Sequence, residues 1–194
     1  MLRSVTRISH ARGDVKLGPI NKTPLKGEFK KREANLVIPV FARKNRIALL
    51  ERFGRIKAEF ESSPFNIVNS VPGAKLGIIA SGIAYAYTVE ALRWLGLEDK
   101  VSLLKIGTPH PLPEKMVVQF LKSVSEILVA EELEPFVENH VKVLAQEAGI
   151  ISKIHGKDVL PIRNEFSTRI MAEAIAKLSG AKLPQEYAEL DRQT

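Results

Sequence analysis

Acid–base and metal chemistry need imidazoles or carboxylates brought together, and this chain offers few such groupings. Its four histidines are His10, His110, His140 and His155. No two of them lie three to five positions apart, so no helix can present a pair of imidazoles to one metal. Carboxylates gather at Glu131, Glu132 and Glu134, at the end of a predicted strand, which is where open α/β sheets bind ligands. The competing reading is negative charge at the start of the next helix, which the helix dipole favours. Ser81 and Gly82 fall between a predicted strand and a predicted helix, a minimal anion site for a small coenzyme A or nucleotide ligand. Neither a Walker lysine motif nor G-x-G-x-x-G accompanies them. Arg7, Ser9 and His10 form a polar cluster that would be costly to bury unpaired. A G-x-S-x-G elbow and a recognisable Ser/His/Asp set are both absent from the sequence.

Composition narrows the chemistry further. The 194 residues contain no cysteine, which excludes disulfides, thiolate metal sites, cysteine-ligated iron–sulfur clusters and a cysteine nucleophile within this chain. Hydrophobic residues make up 45% and charged residues 26%, as in a soluble globular protein. Apolar runs such as Leu76 to Ala80 are too short to cross a bilayer as a helix, and MLRSVTRISHARGDV lacks an apolar signal core. A cytoplasmic location is the expectation. The net charge of +7 is uneven: residues 1–60 hold 15 Lys and Arg against 5 Asp and Glu, while residues 61–194 hold 14 against 17. This basic arm could bind RNA or an acidic protein. No aromatic ladder interleaves with its cations, which argues against a nucleic-acid partner.

The elements that must position these residues follow from periodicity. LRSVTRISH (2–10) alternates like an edge strand, and residues 16–40 are rich in Gly, Pro and Lys and read as an extended connector. Leu49, Leu50, Phe53, Ile56 and Phe60 recur at helical spacing, predicting one amphipathic helix over 41–61 that stops before Pro64. Short strands are predicted at 76–80, 101–106, 126–131 and 150–154. Between them lie a helix with Ile83, Tyr87, Ala91 and Leu95 on one face, a helix from Pro113 to Ser123, and a helix from Pro135 to Gly149. Ser167 caps a last helix that Gly180 stops. Alternating strands and helices imply an α/β fold, a mostly parallel sheet with helices on both faces.

The run KLGIIASGIAYAYTVEALRWLGLEDKVSLLKIGTPHPLPEKMVVQFLKSVSEILVAEELEP (75–135) resembles the α subunit of indolepyruvate:ferredoxin oxidoreductase, a thiamine-diphosphate 2-oxoacid oxidoreductase. LRSVTRISHARG (2–13), VIPVFARKNR (37–46) and IHGK (154–157) resemble it too, in the same order; LGIIASG and KIGTPHPLPE are the most specific stretches. The resemblance implies a middle piece of a longer subunit. Residues 1–15 would be the remnant of a pyrimidine-binding domain, residues 16–64 a basic linker and helix, and residues 65–194 a transketolase C-terminal-like domain. That fold is a three-layer α/β/α arrangement whose five-stranded mixed sheet has one antiparallel strand, for which Asn66 to Val71 is the candidate.

The parent enzyme would oxidatively decarboxylate an aryl 2-oxoacid, pass electrons to ferredoxin and the acyl group to coenzyme A. Its thiamine diphosphate, magnesium and iron–sulfur clusters would be held elsewhere, because this chain has no G-D-G…N signature and no cysteine. The role implied for this chain is non-catalytic and architectural. Ser9 and His10 would approach the edge of the cofactor domain. Its partners would be the remaining domains of the α subunit and a β subunit. A free α/β piece should expose apolar surface on the 41–61 helix, and a homo-oligomer could cover it.

Overall fold

The computed structural model describes residues 9–20, 22, 27–28, 30 and 38–184. The chain forms two compact units, Met1–Ala42 and Arg43–Thr194. In the first, Ser9 is helical and His10 lies in a turn rather than a strand; the rest of the strand expected over 2–10 lies outside the described residues. Residues 11–20 are exposed and carry no regular structure; of these, 16–20 fall in the stretch expected to be an extended connector.

Helix α1, Pro39–Phe60, leads into the second unit, with proline where a helix tolerates it best. It is followed by β1 (Ile67–Asn69), β2 (Leu76–Ser81), α2 (Ile83–Leu95), β3 (Ser102–Ile106) and α3 (Glu114–Ser123). Next come β4 (Glu126–Ala130), α4 (Phe136–Glu147), β5 (Lys153–His155) and α5 (Thr168–Ser179). The sheet order is β1-β3-β2-β4-β5. Strands β2 to β5 run parallel, and β1 alone is antiparallel, pairing Ile67 with Lys105 and Asn69 with Leu103. The expected five-stranded α/β sheet with a single antiparallel strand is therefore present, and that strand falls within Asn66 to Val71.

Alternation along β2 divides the core. Ile78 and Ala80 face a cluster with Ala91, Leu92, Met171 and Ile175 of α2 and α5. Ile79 faces the other side, with Val117, Phe120 and Leu121 of α3 and Val141 of α4. Gly77 allows α3 to come close: a Cβ there would meet Val124 Cγ2 at 2.8 Å and Phe120 Cε1 at 3.0 Å.

Two expectations need correction. Of the face expected on α2, Ala91 is buried and Tyr87 and Leu95 are half-buried against the same cluster, but Ile83 is 39% exposed and Ala84, Thr88 and Leu92 complete the buried side. Small side chains bring α2 close to α5, and the Thr88 hydroxyl donates to the Ala84 carbonyl at 2.7 Å, so its burial leaves no group unpaired. The strand expected over 150–154 begins only at Lys153. Ile150 N–H instead closes the end of α4 on the Ala145 carbonyl, and Ile151 is 99% exposed. Pairing starts where Lys153 comes opposite Glu126. The caps at the other end hold as read: Ser167 Oγ accepts from Ile170 N–H at 3.3 Å, and Gly180 closes α5.

Replacing Gly77 with alanine should push Val124 and Phe120 out of a packed position and destabilise the fold by about 1–3 kcal/mol. Chemical denaturation of the Gly77→Ala variant checks this, and an unchanged midpoint would contradict the packing described.

Candidate functional site at the carboxyl edge of the sheet

The carboxyl ends of β2, β3 and β4 open onto three turns, and each carries residues singled out by the sequence. After β2, Ser81 is half-buried and Gly82 takes φ +59°, a left-handed conformation natural to glycine. Gly82 begins α2 with no side-chain cap, so this turn presents backbone N–H groups at a helix start. Ser9 and His10 are exposed and belong to the other compact unit. Ser81 and Gly82 thus lie at the sheet edge of the second unit, and Ser9 and His10 are described within the first.

The acidic turn after β4 is a structural knot. Glu131 is 6% exposed, and its carboxylate accepts from Val137 N–H and Glu138 N–H, both at 2.8 Å. It caps α4, whose own N-cap residue, Pro135, has no side chain able to do so. Glu132 accepts from Phe166 N–H at 2.8 Å. Glu138, 4% exposed, accepts from Lys142 Nζ at 2.6 Å and Lys157 N–H at 3.0 Å. Gly156 makes room for it, since a Cβ there would lie 2.1 Å from Glu138 Oε2. Lys157 Nζ donates to the Glu131 carbonyl and stands 5.0 Å from the Phe166 ring centroid. Burial lowers the Lys157 pKa, and the charges of Glu131, Glu138, Glu132 and Glu134 only partly offset this. Negative charge at a helix start, the competing reading of this cluster, is what the structure contains.

His155 ends β5 and ties it across to the start of β4. Its Nδ1 lies 2.5 Å from Asp158 Oδ2 and its Nε2 lies 3.0 Å from Glu126 Oε1. Asp158 also accepts from Gly156 N–H at 2.7 Å. Burial opposes the charge on Asp158, but the Gly156 N–H and His155 outweigh it and hold the carboxyl below its ordinary range.

These groups do not fit a magnesium–diphosphate or iron–sulfur site. The buried oxygens of Glu131 and Glu138 already accept from backbone N–H and lysine donors. No group of three or more His, Asp and Glu among the described residues is arranged to hold a metal.

After β3 lies a more open feature. The 107–113 turn places His110 against Phe53 of α1 (centroids 5.4 Å), Phe136 (5.8 Å) and His140 (6.4 Å) of α4. Phe53, His110 and His140 border a groove of about 220 Å³ with Leu112 and Leu144 also in its lining and Lys57 paired to Glu114 at 2.6 Å. Two side chains that the sequence did not single out fix this geometry. Asn66 donates to the Phe60 carbonyl at 2.9 Å and to Thr108 Oγ1 at 2.8 Å, and its Oδ1 accepts from Gly107 and Thr108 N–H. Glu61 accepts from Lys115 and Met116 N–H and so caps α3. Apart from Phe60, six positions from Asn66, their partners are 41 to 55 positions away, so no local pattern marks them.

Comparison with known proteins places the chain. The family described as "Indolepyruvate oxidoreductase domain" matches residues 66–191. Indolepyruvate oxidoreductase subunit IorA of Thermococcus kodakarensis is 45% identical over 197 aligned residues, covering 98% of this chain and 30% of that protein. The Pyrococcus abyssi subunit of the same name gives 45% identity with the same coverage. The chain thus spans about 30% of the length of these curated relatives. A 2-oxoglutarate:ferredoxin oxidoreductase from Magnetococcus marinus, solved with 2-oxoglutarate, coenzyme A and succinyl-CoA bound, shares the fold at TM-score 0.53 and 17% identity. That alignment covers 73% of this chain and 24% of the other.

Removing the Glu131 carboxylate (Glu131→Ala) should cost about 2–3 kcal/mol, because two buried N–H groups lose their acceptor. Asp158 supplies stability above about pH 4 that is lost as pH falls through its lowered folded value, so Asp158→Asn should flatten the acid limb of a urea-midpoint profile. A wild-type acid limb retained in Asp158→Asn would count against this assignment.

Proposed function

The chain belongs to the indolepyruvate oxidoreductase domain family, and on that premise we propose that it is a non-catalytic interdomain part of a thiamine-diphosphate-dependent aryl 2-oxoacid:ferredoxin oxidoreductase. The parent enzyme converts the oxoacid to an acyl-CoA and passes electrons to ferredoxin. Its thiamine diphosphate, magnesium and iron–sulfur clusters are held outside this chain, in the remaining domains of the α subunit and a β subunit. Ser9 and His10 approach the edge of the cofactor domain in that assembly. Residues 1–15 are the end of the preceding domain, 16–64 the linker and helix, and 65–194 the α/β domain.

The observation that carries this reading is the state of α1. It has 22 residues and none is buried, although Leu49, Leu50 and Phe53 lie along it. Most helix stability in proteins comes from packing an apolar face. A long helix held to the α/β domain near its carboxyl end, with its outer face uncovered, is what a domain connector requires. The carboxyl-edge acids support the same reading, since their oxygens are engaged in holding loops and helix starts. Among the described residues, no helix is long and apolar enough to cross a membrane.

The test is a chimera in which this chain replaces the matched stretch of the Thermococcus kodakarensis subunit. The chimera should assemble and reduce a viologen dye with indolepyruvate and coenzyme A, and this chain alone should give no turnover. Turnover by the chain alone, or a chimera that does not assemble, would overturn the proposal.

A further inference from the structure

Helix α1 carries two apolar faces within the second compact unit. One consists of Leu49, Phe53, Ile56 and Phe60. Phe53 contacts His110, Ile56 is half-buried and the Phe60 carbonyl is held by Asn66, so this face lies towards the α/β domain. The other follows steps of three, four and four along Ile47, Leu50, Gly54 and Ala58, well over a quarter turn around the helix. Ile47 is 63% and Leu50 54% exposed, and nothing lies within 4 Å of where a Gly54 Cβ would be.

We propose that this outer stripe is the docking surface for an acidic amphipathic helix of a partner polypeptide. Gly54 and Ala58, one turn apart, lower the surface so that a second helix axis can approach closely while Ile47 and Leu50 fill its grooves. The charge bordering the stripe selects the partner. Arg43, Lys44, Arg46 and Arg55 flank it, against Glu51 alone. Lys57 is neutralised by Glu114, whereas those four cations have no salt-bridge partner among the described residues. A second copy of this helix would bring the same cations against themselves, a repulsive pairing. A membrane surface would call for a wide apolar face, and this one offers two large side chains only. A helix with Leu or Ile on one face and Glu or Asp beside it satisfies both the stripe and its border.

The inference deepens the interdomain reading and rests on it only for the identity of the polypeptide that supplies the helix. The test uses the full chain and two synthetic amphipathic peptides with the same leucine stripe, one flanked by Glu and one by Lys, followed by fluorescence anisotropy. The Glu-flanked peptide should bind, weakening about tenfold or more between low and high salt. Ile47→Asp and Leu50→Asp should each weaken it by about tenfold or more, with helix content by circular dichroism unchanged because both sites are exposed. Val143→Asp, on exposed α4 surface, should leave binding unaltered. Equal binding of the Lys-flanked peptide, or indifference to Ile47→Asp and Leu50→Asp, would overturn the proposal. So would a dimer in sedimentation that Ile47→Asp dissolves, which assigns the stripe to a second copy. So would flotation on vesicles of anionic phospholipid that requires Ile47 while the acidic peptide does not bind. An active chimera together with a peptide that fails to bind would retain the interdomain reading and reject only this surface.

Discussion

Asn66 is 7% exposed and uses both ends of its carboxamide. Its NH2 donates to the last carbonyl of α1 and to the Thr108 hydroxyl; its oxygen accepts from two successive backbone N–H groups of the turn after β3. An apolar residue of the same size would leave those buried groups without partners. Glu61, which accepts from Lys115 and Met116 N–H, and the Lys57–Glu114 pair hold the same end of the helix. The direction in which α1 leaves the domain, and the placing of Phe53 against His110, rest on this amide together with those contacts.

The helices on the α3–α4 face share a second constraint. Both are entered through proline, Pro113 and Pro135, and neither has a side-chain cap of its own. Each borrows a carboxylate from outside its first turn. Glu61, just beyond α1, serves α3, and Glu131, at the end of β4, serves α4. The dipole of each helix start favours the negative charge, and each bond also ties two elements together. The domain thus uses acids as fasteners. This explains why a cluster that looks catalytic in one dimension is occupied in three.

Much of this was legible along the chain. Elements that begin and end on local chemistry are the most legible: Ser167 and Gly180 bound α5. The α/β class and the single antiparallel strand followed from strand–helix alternation and from the resemblance of the 75–135 run to its family. What was not legible depends on partners far away in sequence. Which side chains α2 buries most deeply is chosen by α5, some 80 positions later, against which Ala84 and Ala91 allow close approach while Ile83 is left outside. Strand β5 is as short as its pairing with Glu126–Leu128 permits, whatever the β-propensity of Ile150 and Ile151. Asn66 and Glu61 carry no local signature. The acidic turn admitted two readings, and hydrogen-bond geometry, which no spacing rule encodes, decided between them.

The anchored helix also has a mechanical consequence. From Arg43 to Phe60 it is a stiff rod about 27 Å long, held to the α/β domain from Phe53 to Phe60, so a tilt of about 5° at the Asn66 pivot moves the Arg43 end by about 2 Å. That displacement exceeds what close-packed side chains absorb. A subtle rearrangement of the turn after β3 would therefore be magnified into a shift at the far tip, and load on the tip would be felt at His110 through Phe53. The geometry makes α1 a lever arm as well as a tether.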